Sequence, residues 1–388
     1  MPGVDTAITT TVVLDAGGLD GLIKALKSKG FRIVGPRISD DAVIYDDIDS
    51  TADLPAGWGD EQKGGHYRLK KRADKALFGY TAAAQSWKRF LFPPKQKLFA
   101  ATRTASGFKI QPPDKDPPPL AILGARACEL AAMRIQGRVF GDKDYAEPGY
   151  QARMAGAFVI AVECGQAGGT CFCTSMGTGP EITKGYDIKL VELIDKARHV
   201  FVAEAGSGLG ADFLAGLKAP KAKDTDIAAA QAKVAKAAQS MGRVMETRTA
   251  ARLKELPEHA RWDEVAARCM TCGNCTMVCP TCFCSTVEDV TDLKGDHAER
   301  WRKWDSCFSV DFSYIHGGSV RTEARSRYRQ WITHKLSTWH DQFGSFGCVG
   351  CGRCITWCPV GIDITEEVAA IHKAEVGTGD KPAAKGRK

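Results

Sequence analysis

Two periods of hydrophobicity alternate along the first half of the chain. Residues 8–14, 31–34, 42–45 and 199–203 are short runs rich in β-branched and aromatic side chains, the pattern of strands. Leu19, Leu22, Ile23 and Leu26 recur at helical spacing between residues 18 and 29, and Gly30 closes that segment. Residues 120–124 and 157–162 are unbroken apolar runs, as in strands covered on both faces, and a helical pattern through Met133, Ile135 and Val139 follows the first of them. The alternation predicts an α/β domain over residues 1–223. The Ala-, Lys- and Gln-rich stretch 224–256 predicts a long helix ended by Pro257, and residues 258–268 a second one, so 224–268 reads as a helical connector. Residues 111–119 hold five prolines and predict a stiff loop.

Beyond residue 268 cysteine spacing replaces hydrophobic periodicity as the dominant signal. Cys269, Cys272, Cys275 and Cys279 precede Pro280, and Cys348, Cys351, Cys354 and Cys358 precede Pro359. Both runs have the C-x2-C-x2-C-x3-C-P spacing of bacterial iron–sulfur proteins. There, three thiolates on one tight loop hold one [4Fe-4S] cluster and the fourth cysteine ligates the other cluster. The expected ligand sets are Cys269, Cys272, Cys275 and Cys358 for one cluster, and Cys348, Cys351, Cys354 and Cys279 for a second. A scaffold stabilised by structural zinc is the competing reading, although zinc sites usually come as pairs of cysteine pairs. The long insert between the runs is read as helix formers. A helical two-cluster ferredoxin-like domain is therefore expected over 269–377, and the fold class as a whole is α+β multidomain. Lys381, Lys385, Arg387 and Lys388 mark 378–388 as a basic, disordered tail.

Four more cysteines fall in the α/β region. Cys128 heads a helix, where the dipole favours a thiolate. Cys164 ends an apolar strand, and Cys171 and Cys173 lie on a Gly-rich loop. Carboxyl ends of parallel strands gather on one sheet edge, so these four are candidates for a third cluster; the alternative is four inert buried thiols. Cys282, Cys284 and Cys307 are left over and read first as buried structural thiols, the alternatives being groups that flank a cluster or ligands of an additional site. Arg268 and Arg353 are the cations nearest the cysteine runs in sequence. Arg321, Arg325, Arg327, Arg329, His334 and Lys335 form a basic helical stretch, either a docking surface for an acidic redox partner or a solvated face. Lys95 and Lys97, behind Pro93-Pro94, read as solvated.

Composition narrows the function. A chain of 388 residues suggests two or three domains. The start of the sequence has no basic, apolar signal pattern, so a cytoplasmic location is expected, where 15 cysteines stay reduced and serve as metal ligands rather than disulfides. No apolar run is long enough to cross a bilayer. The net charge of +7 is modest and partly in the tail, and gives no case for nucleic acid. Gly206, Gly208 and Gly210 do not make the dinucleotide fingerprint, and no flavin or nicotinamide motif occurs elsewhere. All eight positions of the two runs are cysteine, which leaves no open iron for substrate. No catalytic residues are therefore expected, and the reading is electron transfer inside a larger redox assembly.

Several words of the sequence resemble the iron–sulfur β subunit of sulfhydrogenase-type, NAD(P)-linked nickel–iron hydrogenases and its relative, the iron–sulfur electron-transfer subunit of anaerobic sulfite reductase. They are Pro93-Pro94-Lys95-Gln96, Gly124-Ala125-Arg126-Ala127-Cys128, Thr170 through Pro180, the stretch 269–284, Trp304-Asp305-Ser306-Cys307, His334-Lys335 and 348–363. The resemblance covers roughly residues 90 to 365. It implies a cytoplasmic complex in which a flavoprotein subunit binds NAD(P) and either a nickel–iron catalytic module or a sirohaem subunit completes the path. The first 80 residues carry no word of this kind.

Overall fold

The computed structural model describes residues 10–113, 118–141, 144–195 and 198–379. The start of the first expected strand, part of the proline-rich loop and most of the basic tail lie outside the described residues. The strands are β1 (Thr11–Leu14), β2 (Arg32–Ser39), β3 (Ala42–Asp47), β4 (Trp58–Lys63), β5 (His66–Lys71), β6 (Lys95–Thr104), β7 (Gly107–Gln111), β8 (Leu120–Ala125), β9 (Phe158–Val162), β10 (Ile188–Ile194), β11 (His199–Ala205), β12 (Ser285–Thr291) and β13 (His297–Trp304). The central sheet runs β1-β11-β10-β9-β8-β2-β3. Its inner strands β10, β9, β8 and β2 are mutually parallel, with antiparallel partners at both edges. β8 and β9 are buried at every position, as their unbroken apolar runs require. The helix Ala16–Ser28 buries Leu19, Leu22, Ile23 and Leu26 and is capped by the Asp15 carboxylate on the Gly18 amide at 2.7 Å.

The insert between the cysteine runs departs from the helical expectation in its first half. β12 and β13 form an antiparallel hairpin, and β13 pairs with β6, giving the sheet β12-β13-β6-β7. Part of the cause is local, since four of the seven β12 residues are Thr or Val; the rest is the distant pairing with β6. The turn is closed by Asp292, whose carboxylate accepts the amides of Asp296 at 2.9 Å and His297 at 3.2 Å. The lysines behind Pro93-Pro94 belong to this sheet. Lys95 stays exposed, as expected, with its ammonium 4.3 Å from the centre of the Trp301 ring.

The connector is not one strut either. Helix Asp224–Gln239 stops at Ser240, and Thr247–Arg252 and Arg261–Ala266 follow as separate short helices. At the break the backbone of Gly242 lies against Gly168 and Gly169; a Cβ there would come within 2.3 Å of the Gly169 carbonyl. Among the described residues no helix is long and apolar enough to cross a membrane.

Arg72, just after β5, pairs with Asp74 and reaches the loop after β9 by a separate hydrogen bond. Arg72 meets Asp74 through two bonds of 2.7 Å and gives a third, of 3.0 Å, to Gln166. The Arg72 guanidinium holds the Asp74 carboxyl down to about 2. A carboxylate depressed on folding stabilises the fold above its unfolded value near 4 and loses that contribution as pH falls through about 2. Because the pair is about a quarter to a third exposed, Asp74→Asn should cost only about 1 kcal/mol at pH 7. Denaturant midpoints of the two proteins should converge as pH is lowered from 4 to 2.

Candidate metal centres

The first cysteine run turns through left-handed residues at Thr271 (φ 51°) and Gly273 (φ 72°), so Cys269, Cys272 and Cys275 line one cavity. Cys354 and Cys358, from the other run, line the same cavity, with Phe308, Tyr328 and Trp331 as its aromatic wall. The Cys358 sulfur accepts the Ile362 amide at 3.3 Å. Asn274 spans the two runs by donating to the Trp357 carbonyl. Cys272 is exposed, so this cavity reaches the surface.

The second run is deeper. Cys348, Cys351 and Cys279 are buried. Cys279, although it belongs to the first run, stands close enough to Cys348, Cys351 and Cys354 for its charge to bear on all three. The Lys335 ammonium lies 3.2 Å from the Cys279 sulfur and 3.0 Å from the Thr281 hydroxyl. Burial pushes the Cys348 thiol up to about 12, against the pull of Lys335. Lys335 is itself buried, on the one wide turn (His334–Thr338) that follows the helix Ala324–Thr333. The fourth cysteine of each run thus lies near cysteines of the other run.

The remaining candidates meet at the carboxyl ends of β8 and β9. Arg126 clasps the two strand ends. Its guanidinium donates to the Val162 and Glu163 carbonyls at 3.3 and 3.2 Å and to the Phe78 and Tyr80 carbonyls at 2.9 and 2.8 Å. Cys128 follows it at the head of the helix Ala127–Phe140, and Cys164 ends the next strand. Cys164 and Cys171 are near enough to raise the Cys173 thiol, and Cys173 raises Cys128. The thiolate expected at Cys128 from the helix dipole is not what a bare thiol would show there. Burial dominates and drives its pKa well up, with Cys351 and Glu129 adding to the rise. Burial likewise pushes Cys171 up to about 12. Uncompensated thiolates are unstable in such a site, so the four need a metal or their protons.

This third set abuts the second run. Phe172 donates its amide to the Gly350 carbonyl at 2.8 Å. A Cβ on Gly350 would come within 2.6 Å of the Cys173 nitrogen, and one on Gly352 within 2.4 Å of the Thr170 carbonyl oxygen; both glycines have positive φ. Segment 241–245, the break in the connector, closes over the same loop. Met241 sulfur lies 3.8 Å from Cys173 sulfur, and the Arg243 amide donates to the Cys171 carbonyl at 2.9 Å. Gly350→Ala combines a left-handed backbone with a backbone clash. It should cost about 1–3 kcal/mol and make Cys171 and Cys173 more reactive to alkylation in the purified protein.

A buried ion pair links the two sets. Arg353, between Cys351 and Cys354, donates to Glu129, next to Cys128, at 2.5 Å, and each is 1% exposed. The sequence placed Arg268 beside the runs, but it turns to Glu367. The basic stretch does not form a free face. Arg327 and Lys335 are buried, Arg327 on the Phe308 carbonyl at 2.7 Å, and Arg325 and Arg329 pair with Glu258. Cys282 contacts the Cys279 thiol, and Cys284 the Cys307 thiol. That last contact holds Cys284 down to about 7. Among the described residues no three Cys, His, Asp or Glu side chains converge as a single metal ion requires. A cubane spreads its thiolates over separate corners and asks for no such convergence on one point. The positively charged Lys335 at Cys279 and the amides at Cys348 and Cys358 suit an anionic cluster.

Residues 268–362 match the family of 4Fe-4S dicluster domains. Over 294 residues, 75% of this chain and 84% of the relative, the sequence is 28% identical to sulfhydrogenase 2 subunit beta of Pyrococcus furiosus. No solved structure matches.

Proposed function

We propose, for a chain of the iron–sulfur β subunit family that includes the sulfhydrogenases, a three-centre electron relay. Cys269, Cys272, Cys275 and Cys358 hold one [4Fe-4S] cluster, Cys348, Cys351, Cys354 and Cys279 a second, and Cys128, Cys164, Cys171 and Cys173 a third. The observation that carries this reading is contiguity: Cys354 of the second run lines the cavity of the first, and the Cys171–Cys173 loop lies on Gly350 of the second, where the Phe172 amide donates to the Gly350 carbonyl at 2.8 Å. When bound, the clusters supply one-electron transfer at fixed positions. The protein's part is to offset their charge and keep them dry. Lys335 offsets negative charge at Cys279. The Gly350 and Ile362 amides, 3.5 and 3.3 Å from Cys348 and Cys358 sulfur, stabilise those thiolates. Phe308, Tyr328 and Trp331 wall the first-run cavity.

The two ends of the relay reach the surface at different places. One is at exposed Cys272, beside Met270 at 63% exposure. The other is a cleft lined by Arg134, Thr178, Gly179 and Lys184, of which Gly179 lies next to the Cys173 sulfur. Two outlets fit a subunit placed in a cytoplasmic complex between a flavoprotein that binds NAD(P) and a nickel–iron catalytic module. In an anaerobic sulfite reductase the second partner would be a sirohaem subunit. Co-purification with its partners tests the placement. Met270→Glu should lose one partner and Lys184→Glu the other, with iron content unchanged in both. Retention of both partners by both variants refutes the two-outlet arrangement.

A further inference from the structure

Three of the fifteen cysteines have no place in that relay, yet they are not scattered. Thr281-Cys282-Phe283-Cys284 repeats, residue for residue, the Thr170-Cys171-Phe172-Cys173 word of the third set. Cys307 is brought to this word by the end of the β12–β13 hairpin, where the Asp305 amide donates to the Cys284 carbonyl at 2.8 Å. The Cys284 and Cys307 thiols touch, and Cys282 lies against Cys279. All are free.

Two buried lysines face this group. Lys335, 6% exposed, is accounted for by Cys279. Lys88, 4% exposed, is not. Its ammonium donates to the Cys282 and Met277 carbonyls at 3.1 and 3.4 Å and sits 3.8 Å from the centre of the Trp304 ring. Among the described residues neither lysine has a carboxylate at ion-pair distance. A buried ammonium with only carbonyls and a ring for company is costly unless an anion stands near it. The groups nearest Lys88 that can become anionic are Cys282, Cys279 and Cys284.

We propose that Cys282, Cys284 and Cys307 hold a fourth iron–sulfur centre, charge-balanced by Lys88. Each thiol gives up its proton to solvent as it binds iron. Three thiolates suit either a three-iron cluster or a cubane whose fourth iron lacks a cysteine. Through the Cys279–Cys282 contact the centre adjoins the second-run cluster and forms a branch off the relay. The proposal takes its metal from the relay reading but does not depend on the ligand sets given to the other three clusters.

The test uses the full chain, purified without oxygen, with iron, sulfide and EPR spectra measured. Cys284→Ser/Cys307→Ser should lose about three to four irons relative to wild type, and Cys173→Ser about four others, the losses adding in the combined variant. Lys88→Met, which keeps the bulk and removes the charge, should alter or remove only the signal lost in Cys284→Ser/Cys307→Ser. Alkylation of the native, reduced wild type should leave Cys282, Cys284 and Cys307 unlabelled, a readout that survives even if the variants fold poorly. Unchanged iron and spectra in the double variant, ready labelling of the three cysteines, or a Cys284–Cys307 disulfide in the purified protein overturns the proposal. Absence of iron altogether would remove the relay with it, whereas loss of this increment alone leaves the relay standing.

Discussion

Glu129→Ala should destabilise the protein by about 3–5 kcal/mol, the cost of leaving a buried charge without its partner. The Glu129 carboxylate is 1% exposed and accepts from Arg353 at 2.5 Å, the Tyr45 hydroxyl at 2.9 Å, the Trp87 indole at 3.2 Å and the Arg126 amide at 3.0 Å. Alanine would leave all four donors facing a cavity. Because Glu129 adjoins Cys128 and Arg353 lies between Cys351 and Cys354, the damage should fall on two centres together, with iron lost from both. Glu129→Gln keeps some of the hydrogen bonds but strands the Arg353 charge, and should sit between wild type and alanine. Denaturant unfolding with iron quantitation checks this. A midpoint for Glu129→Ala equal to wild type would mean the pair does not hold the two loops together.

The second large effect is a crossed loss. In the proposed relay Cys279, of the first run by sequence, ligates the cluster of Cys348, Cys351 and Cys354, and Cys358 the cluster of Cys269, Cys272 and Cys275. Cys279→Ser should therefore cost about four irons and the EPR signal of the second-run cluster. Cys358→Ser should remove the signal of the more exposed first-run cluster, which the Cys272 thiol leaves open to solvent oxidants. If each serine variant lost the signal of its own run, the crossing would be wrong.

Where local pattern decides structure, the sequence is informative. The fully apolar β8 and β9 lie where their composition puts them, and the strand ends deliver Cys128 and Cys164 to one sheet edge. Three features were hidden because they depend on contacts distant in sequence. β12 carries a strand-like content of Thr and Val, but β13 does not, and what fixes the hairpin is the pairing of β13 with β6, nearly two hundred residues earlier. The break in the connector is set by Gly242 meeting Gly169, a close approach that no helix propensity records. Lys335 reads as one more cation on a basic helix. Only the wide turn at His334–Thr338, which carries it inward to Cys279, shows that it serves a buried sulfur. Lys88 was similarly concealed, as a charged residue in a short stretch ending at Pro93-Pro94.

The most direct test of the relay is iron, acid-labile sulfide and zinc analysis of the anaerobically purified chain, combined with an EPR-monitored reductive titration. The relay predicts at least about twelve irons with matching sulfide per chain, no stoichiometric zinc, and signals that broaden one another as neighbouring centres are reduced. Zinc in stoichiometric amount without sulfide, and a reduced protein silent in EPR, would contradict it.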